Sequence, residues 1–359
     1  MSLCVIVANM TPAHFGWGVR APSLRAEQLA HLARAVYDEV RFLIFLSRFN
    51  LLRQERGFAV LASSREDTTV IPASAFTTYA ERLAPATFVF TQAEFAEEAA
   101  FAAARHTVVY DILAPRAKEL AAGGAADAAL QTHHDQHRRM IACARRVLVN
   151  GARSERLFAD DLQGADTALC PLAPEPPTMA RTAGDTLIFG GKPQRWTQSA
   201  PLFEAMAAYL TARRDVPAIM IAEPPKPNEA HAAAYSELFL APNVTPLWNI
   251  SHHNYQELLS RAAGYIDWAP LSDERTYATS TRILQAIAAR VPVLHQAGTA
   301  LDEFFDVFPG MCIEGPIEPR HVAAFAERAI AGGYDREVEA AAGRLAAFRT
   351  APVFEGLAA

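Results

Sequence analysis

The sequence predicts an α/β protein made of two consecutive doubly wound domains. Three observations carry this. Short apolar runs alternate with helix-length segments along most of the chain. At 359 residues the chain is long for one hydrophobic core and suits two. Pro171, Pro174, Pro176 and Pro177 cluster near the middle and mark a linker, because proline extends neither a helix nor a central strand. Alternation of this kind gives right-handed β-α-β units and a parallel sheet covered on both faces.

In order, Leu3–Ala8 reads as a buried strand and Arg25–Tyr37 as a helix with apolar residues at helical spacing. Val40–Leu46, Phe58–Leu61, Thr87–Phe90 and Thr107–Tyr110 are further short apolar strands, and the Ala- and Glu-rich segment Ala93–Ala104 between the last two is a helix. Helices over Arg116–Ala122 and Ala126–Ala144 precede a strand at Val147–Val149. Beyond the prolines, Leu187–Phe189, Ala218–Ile221, Val244–Leu247, Gly264–Trp268 and Val291–Leu294 are strands. Helices over Ser199–Thr211, Tyr255–Ala262, Thr279–Ala289 and Pro319–Ala331 separate most of them, and Glu337–Phe348 is helical by propensity.

Composition narrows the function classes. With 51% hydrophobic and 20% charged residues the chain is globular, and a net charge of −6 argues against broad nucleic-acid binding. Cys4, Cys143, Cys170 and Cys312 are far apart, form no C-x-x-C pair, and fit a reducing compartment. The N-terminus lacks a basic leader region and reads as a first strand. The most apolar stretch, Phe42–Leu52, is interrupted by Arg48 and Asn50, so no transmembrane helix is expected.

Two constellations point to an anionic ligand. In the first, the apolar run Leu187–Phe189 breaks at Gly190-Gly191, and Lys192 and Arg195 follow before a helix. Glycines admit close backbone approach, and a helix start with nearby cations suits a diphosphate. The alternative is an ordinary strand-to-helix turn with solvated cations. In the second, a loop carrying Asp273 and Glu274 leads to Thr279, Ser280 and Thr281, which open a helix. Hydroxyls and free N–H groups there suit phosphate oxygens. Arg282 and Gln285, three residues apart, share a helix face: Arg282 would add charge to the phosphate site and Gln285 would bond ribose hydroxyls. An N-cap cluster on a surface helix is the alternative.

Other features are weaker. Gly16-Trp17-Gly18-Val19-Arg20 follows the first strand as a glycine-containing loop, with His14 in it. Asp111 ends a strand, where ligands bind in open α/β sheets, or it caps the following turn. His133 and His137 lie one helical turn apart but lack a second ligand cluster, so a solvated helix face is expected rather than a metal site.

Residues 186–315 resemble the nucleotide-sugar domain of GT-B glycosyltransferases, most closely the large retaining family with an E-x7-E motif. The Phe-Gly-Gly-Lys turn is similar to the one that opens that family's C-terminal domain. The segments Asn243–Trp248 and Tyr255–Leu259 resemble its "N-V-x-x-x-G" strand and "e-L-x-x-L-L" helix, and Leu284–Val293 resembles "L-E-A-M-A-A-G-x-P-V". The motif is degenerate. Its second glutamate falls on Gln285 and its first on Tyr277, while Glu274 is three residues earlier. The Gly-Phe-Gly loop corresponds to Ala278-Thr279-Ser280. Val108–Asp111 resembles the family's "v-x-y-D" segment, and Gly16–Arg20 lies where such enzymes place a turn near the donor phosphates.

The resemblance implies two Rossmann-like domains facing across a cleft: residues 1–175 on the acceptor side, residues 183–335 on the nucleotide-sugar side, and a C-terminal helix over 336–359 that packs back on the first domain. It implies metal-independent, retaining transfer of a sugar from a nucleotide-sugar donor to a saccharide or lipid-linked acceptor in glycan biosynthesis. Asp111 and Glu274 would be catalytic. Gly18, Arg20, Gly190, Gly191, Lys192, Arg195, Thr279, Ser280, Thr281, Arg282 and Gln285 would bind the donor. No cofactor, metal or nucleic acid is expected; Asp160-Asp161 is not an Asp-x-Asp pair. The expected location is cytoplasmic, with peripheral attachment to the inner membrane face left open, as is the oligomeric state. Loss of the acid at Tyr277 keeps a non-catalytic scaffold in view, and nucleotide-sugar epimerases share the architecture.

Overall fold

The computed structural model describes residues 2–8, 21–45, 67–182, 184–190, 200–222, 232–248, 250–303 and 310–358. The chain divides into two compact units, residues 1–173 with 348–359, and residues 174–347.

The first unit is built on a parallel sheet of seven strands: β1 (Leu3–Ala8), β2 (Glu39–Phe45), β3 (Thr68–Ile71), β4 (Thr87–Phe90), β5 (Thr107–Ile112), β6 (Arg146–Val149) and β7 (Thr167–Leu169). Their order is β3-β2-β1-β4-β5-β6-β7. Strand side chains alternate between faces, and here both faces are apolar. Val5, Val7, Phe88 and Phe90 pack with Phe76, Phe95, Ala99 and Met140 from helices on one side. Cys4, Ile6, Val89 and Val109 pack with Ala26, Leu29 and Ala33 of helix Ala21–Ala33 on the other. The C-terminal tail joins this second layer through Val353, Phe354 and Leu357, and Arg146 donates to the Val353 and Glu355 carbonyls at 3.0 and 2.9 Å.

The second unit repeats the plan with β8 (Thr186–Gly190), β9 (Ala218–Ile221), β10 (Val244–Leu247), β11 (Ala262–Asp267), β12 (Val293–Gln296) and β13 (Cys312–Ile313). The order is β10-β9-β8-β11-β12-β13, again all parallel. This is the 3-2-1-4-5-6 order of doubly wound dinucleotide-binding sheets, extended by a seventh strand in the first unit. Strand order reverses between β1 and β4 in one sheet and between β8 and β11 in the other. Gly264 lies under the Phe325 ring of helix Pro319–Ile330, where an added Cβ would sit 2.8 Å from ring carbon.

Several expectations need revision. The strand expected at Phe58–Leu61 lies outside the described residues and is not tested; an unanticipated strand, Thr68–Ile71, forms one edge of the first sheet, its two threonines interrupting the apolar pattern. Edge strands β7 and β13 are short and partly exposed, so neither makes an apolar run. Helices Phe76–Glu81 and Ala232–Leu240 were not expected. The proline-rich segment begins inside the first unit: Cys170, Leu172 and Ala173 are buried, and Gln28 bonds both the Pro171 carbonyl and the Ala173 amide. Helix Asp335–Ala347 packs on helix Thr281–Ala288 within the second unit, and only residues 348–359 join the first. Among the described residues no helix is long and apolar enough to cross a membrane.

Candidate functional site

In doubly wound sheets ligands bind beyond the carboxyl ends of the strands at the point where strand order reverses. In the second unit that point is set by the last residues of β8 and β11, Gly190 and Asp267. Gly190 has φ +95°, and a Cβ there would stand 2.9 Å from the Ile221 carbonyl oxygen, so both backbone conformation and space call for glycine. Gly191, Lys192 and Arg195 lie outside the described residues, as do Gly18, Arg20 and His14.

Asp267 organises the far side of this point. Its Oδ2 accepts the Ser280 hydroxyl at 2.6 Å and Arg282 Nε at 3.2 Å, and its Oδ1 accepts Arg282 Nη2 at 3.0 Å. Burial alone would raise the Asp267 pKa. The Arg282 and Arg275 guanidiniums and the two hydrogen-bond donors outweigh it and bring the carboxyl from 3.8 down to about 2. The acid is therefore ionised at neutral pH.

This arrangement redistributes the predicted roles. Thr281 is the first residue of helix Thr281–Ala288 and Ser280 its N-cap, with Thr279 just before it. The Ser280 hydroxyl donates to Asp267 and makes no cap bond, so the first-turn N–H groups receive no cap from the N-cap side chain. Ser280 thus serves Asp267 instead of donating to a phosphate. Arg282 is likewise paired, which balances the charge assigned to it, although 29% of its side chain remains exposed. Gln285 is 6% exposed, and its Oε1 has no hydrogen-bond partner among the described residues. Glu274 sits in the first turn of helix Asp273–Tyr277, with Oε2 3.6 Å from Arg275 Nε; Tyr277 ends that helix.

Asp111 is far from such a role. It lies on β5, one strand away from the reversal in its sheet, and its side chain is fully enclosed. Arg25 donates Nε to both its oxygens at 3.1 and 3.0 Å and Nη2 to Oδ1 at 2.6 Å. Arg25 Nη1 continues to Gln28, which fastens the 171–173 backbone. Asp111 anchors a buried ion pair and presents no face to an acceptor. His137 is also no solvated residue: it is buried, bonds the Tyr110 hydroxyl through Nδ1 at 3.0 Å, and packs on Phe158, and burial pushes its pKa down to about 4. Among the described residues no group of three or more metal-ligating side chains occurs.

Asp267 is the site residue that sequence reasoning passed over. The criterion that singles out Asp111, an acid ending an apolar strand, applies equally to it. Further buried polar atoms gather nearby. Trp268 follows β11, and Gln296 ends the adjacent strand β12 next to the loop that contains Thr299. Trp268 Nε1, Gln296 Oε1 and Thr299 Oγ1 have no hydrogen-bond partner among the described residues. Leaving such a group unmet costs about 1–3 kcal/mol, so polar partners from solvent or a ligand are expected at these strand ends.

No protein-family model matches the sequence, and no curated protein matches it. Solved structures do match in shape. The sucrose-phosphate synthase of Thermosynechococcus elongatus aligns over 99% of this chain and 96% of its own, with 14% identity and a TM-score of 0.62. HepE of Anabaena, in complex with UDP and glucose, aligns over 97% and 95%, with 13% identity and a TM-score of 0.64. The lipopolysaccharide outer core galactosyltransferase WaaB aligns over 99% and 97%, with 11% identity and a TM-score of 0.57. The fold is GT-B.

Proposed function

We propose that this GT-B chain is a glycosyltransferase that moves a sugar from a nucleotide-sugar donor to a saccharide or lipid-linked acceptor. One observation carries the reading. At the strand-order reversal of the second sheet, an obligatory glycine at the end of β8 lies beside β11, whose Asp267 holds a helix start with N–H groups that the N-cap side chain leaves uncapped. A helix start of this kind accepts an anion, and Lys192 and Arg195 follow Gly190 in sequence. HepE was solved with UDP and glucose, and another structural neighbour, from E. coli, with UDP-2-fluoro glucose, which supports a uridine diphosphate sugar as the first donor to test.

On this reading the departing diphosphate is stabilised by fixed N–H groups and cations. Such preorganised charge is commonly the largest contribution to lowering a barrier of this type. Gln285 supplies the ribose acceptor through its Oε1, which has no partner among the described residues. The reaction needs no metal ion, and it retains anomeric configuration, with Glu274 at the reacting end of the donor.

The test is acceptor-dependent release of nucleoside diphosphate from UDP-, GDP- and ADP-sugars, assayed with and without chelator. Release that requires acceptor and persists in chelator is expected. A sugar isomerised without transfer would point to an epimerase, and no turnover with any donor would sink the reading. Loss of activity in chelator, restored by manganese or magnesium, would remove the metal-independent mechanism.

A further inference from the structure

Among the described residues of the second unit, Ser251, Ser272 and Ser280 occupy helix N-cap positions, and Ser280 behaves differently. Ser251 and Ser272 accept hydrogen bonds from the Asn254 and Arg275 amides, the usual N-cap arrangement. Ser280 occupies the same position before helix Thr281–Ala288 with extended backbone, φ −69° and ψ 112°, yet its hydroxyl is turned to Asp267 at 2.6 Å. Arg282, in the first turn, is drawn to the same carboxylate by two bonds. Asp267 therefore holds the helix on both sides of its first residue. With its hydroxyl turned to the carboxylate, Ser280 makes no bond to the first-turn amides.

We infer that Asp267 is a positioning residue for diphosphate binding. It fixes the start of helix Thr281–Ala288, holds the Ser280 hydroxyl away from its amides, and does not itself touch the ligand. This rests on the nucleotide-sugar reading above. Charge supports an indirect role. A bare carboxylate would repel a diphosphate, whereas Asp267 is 6% exposed and balanced by Arg282. A second observation points to a ligand at the same helix. Gln285 lies one turn beyond Thr281, a spacing that places it on the same face. It is 6% exposed, and its Oε1 lacks a partner among the described residues.

The experiment uses the full chain. Among UDP, GDP and ADP, the diphosphate giving the largest thermal stabilisation is titrated by calorimetry against wild type, Asp267→Asn and Asp267→Ala. The matching nucleoside, without phosphates, is titrated in parallel. Asp267→Ala is expected to weaken diphosphate binding at least tenfold and Asp267→Asn less, with nucleoside affinity changing under twofold. A merely structural defect would lower both affinities together and would overturn the inference. So would unchanged diphosphate affinity, or tighter binding, which would mean that Asp267 only masks Arg282. Ser280→Ala keeps the Asp267–Arg282 pair and guards against misfolding of the Asp267 variants. It is expected to weaken the diphosphate two- to fivefold, and no change there would likewise overturn the inference. Wild-type protein that binds no nucleoside diphosphate would instead overturn the glycosyltransferase reading, and the role of Asp267 with it.

Discussion

Replacing Asp111 by asparagine separates a structural acid from a catalytic one. Both side chains of the Arg25–Asp111 pair are fully buried, and Arg25 uses Nε and Nη2 on the carboxylate. Removing one partner of a buried pair leaves the other charge without compensation and costs about 3–5 kcal/mol. Asparagine keeps one acceptor oxygen but turns an amide N–H toward a group that only donates, so the lower end, about 3 kcal/mol, is expected. For a unit of about 150–250 residues, each kcal/mol shifts the midpoint by roughly 2–4 °C, giving a drop of about 6–12 °C. The loss should also loosen residues 171–173, because Arg25 shares Gln28 with that backbone. Calorimetry and urea unfolding of the variant measure the first effect, and amide exchange at Leu172 and Ala173 the second. Asp111→Leu combined with Arg25→Met should recover much of the lost stability, since buried pairs are often replaceable by apolar residues of similar size. An Asp111→Asn protein that melts like wild type but loses turnover would refute this assignment and return Asp111 to catalysis.

Other consequences follow from single residues. Arg290 has φ +59° in the left-handed position after helix Thr281–Ala288, where the resembling motif has glycine. Arg290→Gly should be about 1 kcal/mol more stable in urea than Arg290→Ala, because the exposed Glu339 pair lost in both contributes little; equal stabilities would show the backbone to be unstrained. Asp267 is depressed from 3.8 to about 2, so its contribution is complete above about pH 4 and disappears as pH falls through 2. Wild type should accordingly lose roughly 2 kcal/mol more than Asp267→Asn between those values, and parallel acid-unfolding curves would contradict this. Gln285→Ala should weaken nucleoside-diphosphate binding by about 1 kcal/mol, whereas Gln285→Glu should bind at least as tightly as wild type; normal binding by the alanine variant would remove Gln285 from the ribose site.

Central strands were legible because burial on both faces writes them as uninterrupted apolar runs. Leu3–Ala8, Thr87–Phe90 and Leu187–Phe189 all lie within strands at the middle of their sheets. Three of the four edge strands were not; the fourth, Val244–Leu247, was read within its bounds. Thr68–Ile71, Thr167–Leu169 and Cys312–Ile313 each pair on one side only, and partial exposure permits polar residues that erase the pattern. The C-terminal segment misled for another reason. Helical propensity locates Asp335–Ala347, but propensity says nothing about which core a helix covers. The tail residues Val353, Phe354 and Leu357 carry no periodicity, yet they complete the first core.

The two strand-ending aspartates mark the limit of what spacing conveys about a site. In sequence Asp111 and Asp267 look alike, each at the C-terminal end of an apolar run. Their partners distinguish them. The Asp111 partner is Arg25, 86 residues away on a helix, and nothing about Arg25 in the sequence sets it apart from a surface residue. The resulting pair is closed to solvent and spends its hydrogen bonds on holding the chain together. Asp267 instead engages Ser280 and Arg282, 13 and 15 residues on, and the pair keeps 29% of the arginine exposed at the strand-order reversal. A buried acid whose partners belong to a helix start left uncapped by its own serine is coupled to whatever that helix binds. A buried acid whose partner is wholly enclosed is coupled only to folding. The same carboxylate chemistry thus yields a brace in one unit and a site component in the other, and sheet topology decides which.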